Sequence, residues 1–134
     1  MLVLKVVDAN FRTFGGFQWP ESGPVECKYW NNTPECGGGL HGWARGEGDY
    51  IQDSHPASRW LVVLVEEAEV VLLGGKCKFP RGEVVFAGTQ KAAVAYMVAN
   101  GAITADTSPG WCCFSALECI DLADKCSSRA AYAA

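Results

Sequence analysis

The sequence predicts an α+β fold, a small mixed or antiparallel sheet of short strands with two C-terminal helices packed on it. Three observations carry that expectation. Short apolar, β-branched runs recur through residues 2–87, each ended by Gly, Pro or Asn. Helix start and stop signals come only after residue 88, and strands followed by helices are the chain order of α+β domains. The length, 134 residues with 49% hydrophobic side chains, suits one domain able to bury a core without covalent staples. The chain is therefore read as a single domain over 1–134, β-rich over 1–88 and with two helices over 89–130.

Leu2–Val7 opens the chain as a strand, apolar and closed by Asp8-Ala9-Asn10. It is too short, and too poor in basic flanks, to read as a leader peptide. Phe14-Gly15-Gly16-Phe17-Gln18-Trp19-Pro20 is a glycine-broken aromatic segment, and Ser22-Gly23-Pro24 is a turn. Val25–Trp30 is a second strand, stopped by Asn31-Asn32-Thr33-Pro34. Three glycines at 37–39 lead into a short Leu40–Trp43 segment, and 46–56 is polar and loop-like. Trp60–Val65 is continuously apolar, as expected of a strand covered on both faces. Val70–Leu73, Lys76–Phe79 and Glu83–Ala87 follow at turn spacing, separated by Gly74-Gly75 and by Pro80-Arg81-Gly82. Thr89 is positioned to cap a helix over Gln90–Ala99, with Asn100-Gly101 as its left-handed stop. Ser108-Pro109 starts a second helix over 109–129, whose Cys112, Ala116, Cys119, Ala123 and Cys126 form one stripe. No apolar run approaches the ~20 residues that span a bilayer, so no membrane partner is expected.

The cysteines number seven, an odd count that argues against a complete disulfide framework and for reduced thiols in a cytoplasmic setting. Those of the second helix read as small buried hydrophobes. Cys27, Cys36 and His41, with Cys77 as a fourth ligand, are the residues that would hold a metal. They lack the short C-x2–4-C knuckle of structural zinc sites, so no metal is expected.

The net charge of −4 is segregated. Between 47 and 69 lie Glu47, Asp49, Asp53, Glu66, Glu67 and Glu69 against Arg59, a block of −5. Such a block suits presentation of carboxylates to a basic partner protein. Lys76, Lys78 and Arg81 form a basic patch too small to imply direct nucleic-acid binding, since affinity follows the number of phosphates neutralised. For catalytic chemistry the sequence offers two candidates and no complete set. His41 sits among glycines beside Trp43, with room to act as a base or to meet a ribose hydroxyl. Glu83 stands at a strand start, open to a cleft. No nucleophile elbow, phosphate loop or dinucleotide fingerprint is present.

Taken together, Gly15-Gly16-Phe17-Gln18-Trp19-Pro20, Pro34-Glu35-Cys36-Gly37-Gly38-Gly39-Leu40-His41-Gly42, Trp60–Glu66 and Gly74-Gly75-Lys76-Cys77-Lys78-Phe79-Pro80-Arg81-Gly82-Glu83-Val84-Val85 resemble an uncharacterised family of small phage, prophage and actinobacterial proteins. The likeness covers residues 14–101 and implies a phage-type accessory protein, without an activity to carry over. More distantly, Leu40-His41-Gly42-Trp43, Trp60–Glu66 and Glu83 are similar to the mono-ADP-ribosyltransferase fold. The family's early Arg or His-Gly-Thr element and its Tyr or Ser-Thr-Ser strand are missing. That resemblance implies NAD as cofactor, with His41 and Glu83 in the cleft.

Three functional expectations follow. The first is a non-enzymatic accessory protein in the host cytoplasm that binds a host protein through its acidic block. Its target would be a nucleic-acid-binding defence complex, an anti-CRISPR-like role that needs no cofactor. The second is an NAD-dependent transferase, and the third a virion or structural protein.

Overall fold

A computed structural model describes residues 1–48 and 56–107. Its strands are β1 (Leu2–Val7), β2 (Arg12–Thr13), β3 (Phe17–Gln18), β4 (Gly23–Glu26), β5 (Leu40–Ala44), β6 (Arg59–Leu64), β7 (Val71–Leu72), β8 (Cys77–Phe79) and β9 (Arg81–Gly88), followed by helix α1 (Gln90–Ala99). Seven strands form one sheet in the order β4-β9-β6-β1-β5-β8-β7, while β2 and β3 make a separate ribbon. Every ladder is antiparallel, which settles the sheet type that the sequence left open. The fold is α+β, and mostly sheet.

The centre of the sheet is the pairing of β1 with β6, from Leu2 opposite Leu64 to Val7 opposite Arg59. Both strands are apolar on successive residues because both sheet faces are covered. On one face, α1 lays Ala93, Val94 and Met97 against Leu4, Val6, Trp60 and Val62, and Trp43 stacks on Trp60 with ring centroids 6.0 Å apart. On the other, Val3, Val7, Leu61, Val63 and Val84 meet Trp19, Val25 and Phe79. The Trp19 indole N–H donates to Thr13 Oγ1 at 3.0 Å, so a large ring is buried with its polar atom satisfied. Gly42 is needed where β5 lies beside β1: a Cβ there would lie 2.6 Å from Val3 Cγ1 and 2.7 Å from the Leu4 carbonyl oxygen.

The helix over Gln90–Ala99 forms with the expected ends. Thr89 accepts from the Ala92 N–H at its N-terminus, and Gly101 takes φ 73° after Asn100. Other expectations need correction. Val25–Trp30 is not one strand: β4 ends at Glu26, and the Asn31 N–H instead donates to the Gly38 carbonyl, closing a separate loop. Val70–Leu73 shrinks to β7 behind a 3₁₀ turn at Glu67–Glu69. The β2–β3 ribbon escaped the sequence reading. It exists because Gly15 and Gly16, at φ 76° and 77°, reverse the chain within one tight turn. The second expected helix, 109–129, lies outside the described residues. Among the described residues, no helix is long and apolar enough to cross a membrane.

Candidate functional site, a cationic cleft over the first strand

Lys5 interrupts the apolar run of β1, and alternation puts it on the side of Val3 and Val7. Only 7% of the residue is exposed, and its ammonium lies 5.4 Å from the centre of the Trp19 ring. Among the described residues it has no carboxylate and no hydrogen-bond acceptor. Burial, then the charge of Lys76, pushes its pKa down to about 8; the Cys77 thiol on the same side acts weakly in the opposite sense. Lys5 forms part of the floor of a cleft of about 1200 Å³. One wall is the β2–β3 ribbon from Arg12 to Trp19, and the other carries Lys28, Tyr29, the loop Cys36–Gly39, His41 and Lys76.

That second wall is held by the cations beneath it. Lys78 is fully buried, and its ammonium donates to the Gly37 carbonyl at 3.0 Å while lying 5.6 Å from the Trp30 ring. Lys76 donates to Cys36 Sγ at 3.3 Å. His41 Nε2 accepts from the Gly37 N–H at 3.2 Å, with Cys36 Sγ 4.0 Å away. Burial lowers the His41 pKa to about 4, helped by the charges of Lys76, Lys5 and Lys78, so the ring is neutral at physiological pH. Its free nitrogen lone pair is thus already committed to the loop backbone.

The structure separates most of the residues that the sequence singled out. Glu83 lies on β9 and is exposed; β6 and β1 stand between it and the strand of His41, a lateral separation of ~14 Å. The pair does not share a cleft. Arg81 pairs with Glu69 at 3.2 Å and Lys78 is fully buried, so the three do not form one basic surface. Glu66, Glu67 and Glu69 line a second concavity of about 690 Å³ together with Glu26, Arg81 and Glu83. Glu67 pairs with Arg45 at 3.1 Å, and both ion pairs are exposed enough to contribute little stability. Glu47 is exposed in the turn after β5, and Asp49 and Asp53 lie outside the described residues. Of the metal candidates, Cys36 and His41 adjoin, whereas Cys77 is buried in the core, where burial raises its thiol pKa to about 11. Cys27 is half-buried, and burial raises its pKa too. Among the described residues, no three His, Cys, Asp or Glu side chains converge as a metal site.

Lys5 is the residue that sequence reasoning missed. The available signal was a charge in the middle of a run otherwise apolar on both faces.

A family model for a domain of unknown function, DUF7666, matches residues 1–98. Among curated proteins, the chain is 36% identical over 104 residues to an ice nucleation protein of Xanthomonas campestris pv. translucens, covering 75% of this chain and 7% of that protein. It is 36% identical over 102 residues to the ice nucleation protein InaU of Pantoea ananas, covering 73% and 10%. To an ice nucleation protein of Pseudomonas syringae it is 37% identical over 111 residues, covering 80% and 10%. The chain thus spans no more than 10% of the length of these relatives. No solved structure matches it.

These relatives are proteins of bacteria named for ice nucleation, and they overturn the functional expectations. The phage-type accessory protein directed at a host defence complex does not stand, nor do the transferase and virion alternatives. The placement in the host cytoplasm, drawn from the odd cysteine count and the phage-type likeness, is overturned by the same relatives. The geometry agrees on one point, since the transferase required His41 and Glu83 to face a common ligand.

Proposed function

The chain belongs to the DUF7666 family, and from that premise we propose that it is a folded binding module of the kind ice nucleation proteins carry, distinct from their ice template. The observation that carries the reading is the extent of the match. Identity of 36–37% runs through 102–111 residues, the span of the sheet and its helix, yet accounts for at most a tenth of each relative. A unit of that size is one domain among much else.

Physics favours placing the templating elsewhere in such proteins. An ice embryo survives at modest supercooling only above a critical size, so a template must be flat, regular and broader than one small domain. Here one face of the main sheet is packed under α1, and the other is interrupted by Trp19 and by the cleft over β1, so neither is a flat, open plane. What this module offers outward is concave and charged: the cleft over β1.

Droplet freezing tests the proposal. The purified chain should leave the freezing temperature of buffer droplets unchanged. A Pseudomonas syringae ice nucleation protein whose matching segment is replaced by this chain should still nucleate. Freezing by the isolated chain at the temperature of the intact relative would overturn the reading. So would loss of nucleation by a chimera that is expressed at normal levels.

A further inference from the structure

We propose that the cleft over β1 binds a phosphate monoester, its phosphate group seated on the Lys5 ammonium with Lys76 beside it. The inference deepens the module reading, and rests on it for biological meaning, by naming the ligand class of its cleft.

Lys5 carries an unbalanced charge. An ammonium taken out of water normally gains a carboxylate or several acceptors in exchange, because the desolvation penalty is otherwise several kcal/mol. Lys5 is 7% exposed and among the described residues has the Trp19 ring face as its one polar compensation. No buried nitrogen among them is sealed off without a partner, so the Lys5 ammonium reaches the cleft surface, where a ligand can meet it.

The described lining of the cleft is cationic as well. Its described lining includes Lys5, Arg12, Lys28 and Lys76 against one acid, Asp8. The Asp8 carboxylate is engaged locally, accepting from the Asn10 and Arg12 backbone N–H groups at 2.8 Å each. Two ammonium groups, one from β1 and one from the turn before β8, close enough for their charges to interact, suit a doubly charged oxyanion with several acceptor oxygens better than a single carboxylate. The volume, about 1200 Å³, exceeds that of the anion, and Phe14 and Phe17 on the ribbon wall offer an apolar surface to an organic remainder. A phosphate monoester has both parts.

Isothermal titration of the full chain with inorganic phosphate and with phenyl phosphate is the test. Both should bind, the ester more tightly because its ring meets the ribbon wall. Lys5→Met should weaken binding by about tenfold or more, the worth of one charged hydrogen bond, and Lys5→Arg should restore most of it. Arg45→Ala, whose guanidinium lies outside the cleft, should bind as wild type does. Absence of phosphate binding by the wild-type chain would overturn the proposal. Unchanged binding by folded Lys5→Met would do so too, as would an equal loss in Arg45→Ala, the mark of diffuse charge attraction. Lys76→Ala, whose change lies at a turn, keeps the test decisive if Lys5→Met does not fold. The two proposals fail separately. Phosphate binding by the chain with a chimera that does not nucleate sinks the module reading alone; a nucleating chimera whose isolated chain ignores phosphate sinks the site alone.

Discussion

Replacing Lys5 by Met should stabilise this protein while removing its anion site, and the size of the gain follows from the surroundings of the ammonium. A pKa lowered from 10.5 to about 8 means that the folded state disfavours the charged form by about 3 kcal/mol, at 1.36 kcal/mol per unit. Met has nearly the same length and shape and no charge, so the penalty disappears at pH 7. The lost contact with the Trp19 face, a cation–π interaction of about 1 kcal/mol, offsets part of it. A net gain of about 2 kcal/mol remains, or about 7 °C in melting temperature for a domain of this size. The pH dependence has a definite sign. Because the folded pKa lies below the unfolded one, the folded chain releases its proton first. Wild-type stability therefore rises relative to the variant between pH 8 and 10.5. Urea titrations at pH 7 and pH 10 on both proteins should show the gap closing. Equal stability at pH 7 would refute the claim that the ammonium is desolvated, and a gap unchanged at pH 10 would assign it to packing.

The same titration predicts that phosphate affinity falls as pH rises from 7 to 9.5, since a bound anion raises the Lys5 pKa while the neighbouring His41 and Cys77 stay neutral over most of that range; calorimetry in that series checks it. Acid should destabilise the fold through His41: its folded pKa of about 4 lies below the unfolded value of 6.5, so stability is lost as pH falls through that window, and His41→Gln should flatten the loss in urea midpoints. Gly42→Ala should lower the urea midpoint by the equivalent of about 2 kcal/mol, because the new methyl meets both Val3 and the Leu4 carbonyl; a neutral result would mean that β5 can shift on β1. Iodoacetamide at pH 8, read by peptide mass, should label exposed Cys36 and spare Cys77, whose thiol is both buried and held protonated, until denaturant is added.

Much of the fold was legible because it rests on local signals. Leu2–Val7, Arg59–Leu64 and Gln90–Ala99 are long enough for their apolar pattern or their caps to decide the matter. What failed was short and tertiary. Residues 27–39 read as a strand with a trailing loop, yet their course is set by Lys76, Lys78 and His41, which reach them across 4–41 positions of sequence. The β2–β3 ribbon has two residues on each side, too few for any period to register.

The site was less legible for a reason that bears on charge in general. Sequence reading weighs charges by their density, which drew attention to the acidic block and to Lys76, Lys78 and Arg81. Folding then put Glu67 on Arg45 and Glu69 on Arg81, and set the Lys78 ammonium on the Gly37 carbonyl, so part of that density was spent on internal pairing. The buried charge that has neither carboxylate nor acceptor among the described residues is the isolated one, Lys5, in a strand whose other residues are apolar. A sheet centre can carry such a residue only at a loss of stability, and Met at that position would remove the loss. Function gives a reason for retaining the lysine: the missing counter-charge arrives with a ligand, and the energy withheld from folding reappears as binding.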